Sequence, residues 1–64
     1  MKIHGVLTRR LETHTLYNDY DVLVIAGYTV YINVKTFALE IERLTCGDVV
    51  NCVVDEEMII TSLE

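Results

Sequence analysis

The chain has 64 residues, of which 52% are hydrophobic, and ten acidic against five basic residues give it a formal net charge of −5. One small domain over residues 1–64 is expected, with a thin margin of stability that a subunit partner would raise. This composition excludes a disordered tail, and the longest apolar stretch, residues 22–27, is too short to span a bilayer. We therefore expect a cytoplasmic protein with no signal peptide or membrane segment. The excess of acidic over basic residues disfavours a surface that binds nucleic acid.

Residues 2–12 predict the first strand, because apolar and polar side chains alternate along them. The alternation assigns Leu11 to the apolar face and Arg10 to the polar face. Gly5 lies inside the strand, where a glycine usually marks a bulge that bends a small barrel. Asn18 and Asp19 then predict a turn.

Residues 20–34 predict two antiparallel strands joined by a tight turn at Ala26 and Gly27. Alternation along the second of these strands places Tyr28, Val30, Ile32 and Val34 on the core face. It places Thr29, Tyr31 and Asn33 on the opposite, outward face.

Residues 35–44 change to helical spacing, with Phe37, Leu39 or Ile41, and Leu44 as the apolar positions. A helix of about two to three turns is predicted, ending near Cys46 and Gly47 with the glycine as a left-handed cap. Residues 48–54 and 58–63 predict two further strands.

Three strands, a helix and two strands form the element order of a mainly β, five-stranded OB-like barrel. The single short helix is expected between strands 3 and 4. SH3-like and Sm-like barrels are the alternatives, but they usually lack this helix.

Several short motifs match one OB family. They are Met1 and Gly5 in the first strand, Gly27, Tyr28 and Val30 at a strand start, Thr36 and Phe37 at the helix entry, Gly47 before the fourth strand, and Val53, Val54 and Glu56 at the acidic turn. With them the chain resembles the N-terminal domain of the Holliday-junction protein RuvA. In that family the acidic turn forms a pin that faces DNA at the centre of a tetramer. The family's DNA-gripping helix-hairpin-helix domains have no counterpart here, so the resemblance implies the fold and not junction binding.

The outward Tyr31 is a candidate binding residue, because aromatic side chains on this face of OB domains stack against bases. Thr29 and Asn33 beside it, with His4 and Arg10 on the first strand, complete a predicted platform. The alternatives are cross-strand packing for Tyr31 and surface solubility for Arg10 and its neighbour Arg9.

Asp55, Glu56 and Glu57 are the second candidate, either as an acidic partner-binding site or as solvated charge on an exposed hairpin. His4, His14, Cys46 and Cys52 lack zinc-ligand spacing, so we expect no metal and no cofactor. The two cysteines are expected as buried or half-buried free thiols.

The leading functional prediction is a small acidic protein-binding adaptor or inhibitor. Residues 22–25 and the pairs Val49, Val50 and Val53, Val54 are apolar on both strand faces, which predicts a homo-oligomer or partner interface. Small acidic domains of this kind suggest a phage or mobile-element protein that acts on a host nucleic-acid-processing or defence protein. The alternative is an OB-type single-stranded nucleic-acid or nucleotide-binding module. An enzyme is not expected, because no catalytic constellation can be assembled.

Overall fold

The computed structural model describes residues 1–64 and contains five strands and one short helix. The elements are β1 (Lys2–Leu11), β2 (Tyr20–Ile25), β3 (Tyr28–Asn33), α1 (Ala38–Arg43), β4 (Val49–Val54) and β5 (Ile60–Leu63). The predicted mainly β class is therefore confirmed, with five strands and the helix between the third and the fourth.

All five strands form one antiparallel sheet in the order β3-β2-β1-β4-β5. The ten-residue β1 lies at its centre, because its first half pairs with β4 and its second half with β2. The pairing register shifts between Leu7 and Arg9, so the bulge lies at Thr8 and not at Gly5, where it was predicted. Gly5 pairs regularly with Val50.

The bulge reverses the two faces of the second half of β1. Because an extra residue is inserted, Arg10 pairs with the buried Leu23 and lies on the core side of the sheet, while Leu11 lies on the outer side. The alternation had predicted the opposite for both residues. It was wrong because a single inserted residue shifts every later side chain to the other face.

The sheet does not close into a barrel, which corrects the closed form of the OB-like prediction. The two end strands, β3 and β5, meet only near one isolated parallel bridge between Tyr31 and Ile59, where the Tyr31 N–H donates to the Met58 carbonyl at 2.9 Å. β3 ends at Asn33, whose carbonyl accepts from the Phe37 N–H, so the chain turns into α1 before a ladder with β5 can form.

The core lies between the inner face of the curved sheet and α1. Its eleven buried members are Ile3, Leu7, Leu23, Ile25, Val30, Ile32, Ile41, Val50, Cys52, Val54 and Ile60. Ile41 is the only buried residue of α1, which therefore covers one end of the core rather than a whole face.

The helix is shorter than predicted and ends without a glycine cap. It spans only Ala38–Arg43, and Leu44 after it is extended. Gly47 does have a positive φ of 104°, but it belongs to a separate turn that the Asp48 N–H closes on the Thr45 carbonyl. The Gly47 N–H donates to Leu7 at 2.8 Å, so this turn joins β1.

Three local predictions are also corrected. Tyr28 was placed in the core but is 47% exposed, because it follows the hairpin turn directly and no element covers that corner. The turn before β2 is formed by residues 15–18, with Thr15 bridged to Asn18, and not by Asn18 and Asp19. Cys46 is an exposed free thiol rather than a half-buried one, and Cys52 is buried.

Candidate functional site

The outer side of β1, β2 and β3 carries a row of apolar side chains. Leu11 pairs with Val22, Val22 pairs with Tyr31, and Tyr31 is bridged to Ile59. Residues paired directly in a sheet point to the same side, so these four form one row, which we call the outer row. Two of its members, Leu11 and Tyr31, are each 40% exposed.

A groove lies at the end of this row, between two loops. We call residues 12–19, between β1 and β2, the L12 loop, and residues 55–59, between β4 and β5, the L45 loop. The groove has a volume of about 350 Å³ and is lined by Thr13, Asn18, Tyr20, Val22, Tyr31, Glu57 and Ile59. Glu57 is the only carboxylate in this L12–L45 groove, and no lysine, arginine or histidine lines it.

Hydrogen bonds link the two ends of the L12 loop. The Thr13 hydroxyl donates to the Tyr20 carbonyl at 2.7 Å, and the Asn18 side-chain amide donates to the Thr13 carbonyl at 3.1 Å. At its tip Leu16 is 87% and Tyr17 94% exposed. The loop thus holds two large apolar side chains in solvent, a feature that the sequence-based prediction missed because residues 13–18 have no periodicity.

A buried carboxylate joins the start of this loop to the sheet and the helix. Asp21 is fully buried, and its Oδ1 accepts from the His14 backbone N–H at 3.0 Å and lies 2.6 Å from His14 Nδ1. Its Oδ2 accepts from Arg10 at 3.3 Å, and Arg10 also donates to the Ile41 carbonyl of α1. Burial opposes ionisation of Asp21, but the bonds from His14 and Arg10 outweigh it and lower the pKa of the carboxyl below its usual value.

The L45 loop gives its three acidic residues different roles. Asp55 Oδ1 accepts from the backbone N–H groups of Glu57 and Ile59 at 2.9 and 3.0 Å, so this carboxylate shapes the turn. Met58 has a φ of 64° and occupies the left-handed position that ends such loops. Glu56 and Glu57 are exposed and form no ion pair, and only Glu57 reaches the groove.

The structure does not bring the predicted platform together. Tyr31 and Thr29 lie on the outer side of β3, as predicted. The Asn33 carboxamide oxygen instead accepts from the N–H groups of Lys35 and Thr36. It stabilises the turn that follows β3.

The two first-strand members of the platform lie elsewhere. Arg10 is on the core side, where it binds Asp21. His4 is on the outer side of the other half of β1, where its ring nitrogen is hydrogen-bonded to Asn51 of β4. The β-bulge and the length of β1 separate these side chains from Tyr31.

A second apolar patch lies on the outer side of the β1–β4 half of the sheet. Val6 pairs with Val49, both are exposed, and Val53 further along β4 is half-buried. With Val22 and Val24 half-buried on the outer side of β2, the predicted two-faced strands are confirmed.

Comparison with protein-family models finds no match, and the searches of curated proteins and of solved structures find none either. The RuvA resemblance therefore stays a prediction. No three His, Cys, Asp or Glu side chains converge as metal ligands would. The structure has no helix with the length and apolar character needed to cross a bilayer.

Proposed function

We propose that this chain is a small acidic protein-binding domain, an adaptor or inhibitor, that contacts its partner through the L12 loop and the outer row. The observation that carries the proposal is the near-complete exposure of Leu16 and Tyr17 on a hydrogen-bonded loop. The loop that carries them also lines the L12–L45 groove, through Thr13 and Asn18.

Exposed apolar side chains of this size favour a protein partner. Tyrosine is enriched among the residues that dominate protein interfaces, because it buries a large area and loses little rotamer entropy. A loop already held by hydrogen bonds also pays less to be ordered on binding. Leu16 and Tyr17 therefore have the properties of interface contacts and no evident role in the stability of the fold.

Charge supports the same choice. Arg9 is the only basic residue on the outer side of β2, β3 and the second half of β1, and the chain carries a net charge of −5. Affinity for nucleic acid depends largely on lysine and arginine contacts with phosphates. A basic protein surface fits this charge better, and host nucleic-acid-processing or defence proteins, which bind phosphates themselves, are the partner class we propose.

The test is site-specific crosslinking. A photoreactive phenylalanine analogue at position 17 should crosslink to a discrete protein in a lysate of the host cell. In pull-downs with the tagged chain, Tyr17→Ala and Leu16→Ala should each lower capture of that protein at least tenfold. Leu39→Ala removes another exposed apolar side chain, on α1, and serves as the matched control. Undiminished capture by Tyr17→Ala would contradict the proposal.

Self-association is a separate part of the proposal and uses the patch of Val6, Val49 and Val53. This patch lies on the other half of the sheet, so a dimer formed through it would leave the L12 loop free. Light scattering on the purified chain should give a mass above the 7.3 kDa monomer, and Val49→Asp should restore the monomer. If the wild-type chain is a monomer, the self-association proposal fails and the proposed role of the L12 loop is unaffected.

One observation favours a second function. In OB folds the faces of strands 2 and 3 and the loops L12 and L45 bind oligonucleotides and oligosaccharides, and the L12–L45 groove lies in that place. A single-stranded nucleic-acid module would use Tyr31 for stacking and Arg9 for phosphate. This second function requires that the chain bind a labelled single-stranded oligonucleotide and that the affinity fall as salt is raised, which fluorescence anisotropy measures directly.

A further inference from the structure

We infer that the L12–L45 groove receives one lysine or arginine side chain of the partner protein, with its aliphatic stem against the tyrosines and its cation at Glu57. The inference rests on the proposed protein-binding function and names what the groove recognises.

The lining matches both parts of a long basic side chain. Val22 and Ile59 with the rings of Tyr20 and Tyr31 provide apolar surface, and the single carboxylate of Glu57 lies at the L45 side. Lysine and arginine bury their methylene stems along apolar surface while the charged end stays at a polar edge. A cation near a tyrosine ring is further stabilised by the electron-rich ring face.

Glu57 is free to bind such a cation. None of the four ion pairs of the chain includes Glu57, and Arg9, the one basic residue on the outer side of β2, β3 and the second half of β1, does not line the groove. The backbone of Glu57 is also held, because its N–H donates to Asp55. The groove therefore presents a carboxylate on an ordered turn with no intramolecular counter-charge.

Other occupants fit this lining less well. A phosphate or a carboxylate entering the groove would be repelled by Glu57, since like charges at close range raise the energy of both. An uncharged apolar side chain would remove water from Glu57 and offer it no partner. The basic side chain is the one that uses both the tyrosines and the carboxylate.

The experiment is an NMR titration of the ¹⁵N-labelled chain with short capped peptides at low salt. A peptide with one central lysine should shift the amide resonances of Val22, Tyr31 and Glu57. The same peptide with norleucine, which has a similar stem and no charge, should bind several-fold more weakly. Glu57→Gln should lower affinity for the lysine peptide about three- to fivefold, as for loss of one exposed charge pair.

Glu42→Gln is the matched control, because it makes the same change in net charge on α1, away from the groove, and should leave affinity unchanged. Equal binding of the norleucine peptide, or an equal effect of Glu42→Gln, would overturn the inference. So would an oligothymidylate that shifts the same resonances more strongly than the lysine peptide.

The outcome is separable from that of the proposed function. If position 17 crosslinks to a partner but the lysine peptide does not bind, the groove inference fails and the protein-binding proposal stands. If neither is observed, both fail.

Discussion

Gly5 and Ala26 lie in contact where β1 passes the β2–β3 turn. Ala26 and Gly27 have φ values of 51° and 82°, the two left-handed conformations of a type I′ turn. A Cβ atom on Gly5 would lie 2.5 Å from the Ala26 Cβ and 3.1 Å from its Cα. The absence of a side chain at Gly5 therefore permits this close approach, and no bulge is involved.

Gly5→Ala should lower the free energy of unfolding by about 1–3 kcal/mol, the usual cost of overpacking. Adding Ala26→Gly should recover part of this loss, because it removes the nearer of the two clashing atoms and relieves the left-handed conformation of alanine. Urea unfolding of the two single variants and the double variant measures the coupling. If the effects of Gly5→Ala and Ala26→Gly on the free energy of unfolding are strictly additive, the contact between the two residues is contradicted.

Asp21 is the residue on which the charge cluster depends. Replacing it with asparagine removes the negative charge that compensates the partly buried Arg10, whose Nε already lacks a hydrogen-bond partner. We expect Asp21→Asn to cost about 2–4 kcal/mol in urea unfolding, because Arg10 then keeps only the exposed Glu12, at 3.5 Å, as its counter-charge. Asp19→Asn breaks an exposed pair with Lys35 and should cost less than about 1 kcal/mol.

The same cluster predicts a pH dependence with a definite sign. The pKa of Asp21 is lower in the folded chain than its ordinary value of 3.8, so the folded state holds this proton less tightly than the unfolded state. Its contribution to stability is therefore fully present above that value and is lost as pH falls through the folded pKa. Urea unfolding at a series of acidic pH values should therefore show the stability difference between wild type and Asp21→Asn shrinking as the pH falls through the folded pKa of Asp21.

At the scale of elements, the L45 loop contains acidic residues of two kinds, one that stabilises the turn and others that are exposed to solvent. Asp55 accepts two backbone N–H groups, whereas Glu56 is exposed with no ion pair. Three consecutive acids thus do not form one uniform charged site. The sequence-based alternatives of a binding site and of solvated charge each treated the three as equivalent.

Asp55→Ala should lower the free energy of unfolding by about 1–2 kcal/mol, since two N–H groups lose their acceptor. Glu56→Ala in the same turn should change it by less than about 0.5 kcal/mol. Thermal or urea unfolding distinguishes the two. Equal effects would show that Asp55 has no special role in the turn.

At the scale of the whole molecule, the seam between β3 and β5 is the weakest part of the sheet. β5 has only four residues, and the single bridge between Tyr31 and Ile59 is not extended into a ladder. Local opening of a folded chain is easiest where few backbone hydrogen bonds support one another. The seam also borders the L12–L45 groove, so its opening would change the groove's shape.

Hydrogen exchange should detect this. The amide of Tyr31, which donates to Met58 across the seam, should exchange faster than that of Leu7, which donates to Asp48 beside the centre of the sheet. NMR-detected exchange at neutral pH compares the two directly. Equal protection of both amides would mean that the seam opens only with global unfolding.

Local patterns were sufficient where the cause is local. Alternation correctly assigned Val30 and Ile32 to the core and Tyr31 to the outer side, because successive side chains of a strand point to opposite faces. The turn at Ala26 and Gly27 was predicted for the same reason, since its backbone angles depend on those two residues.

The sequence by itself determined the number and order of the elements, the position of the helix and the two-faced strands, all of which follow from short-range periodicity and composition. Only the tertiary structure decided the place of the bulge, which exchanges the faces of Arg10 and Leu11, and the open seam. It also decided the groove, whose Thr13 and Glu57 come from opposite ends of the chain. These features depend on which segments meet in space, and that is settled by packing of the whole chain rather than by any local pattern.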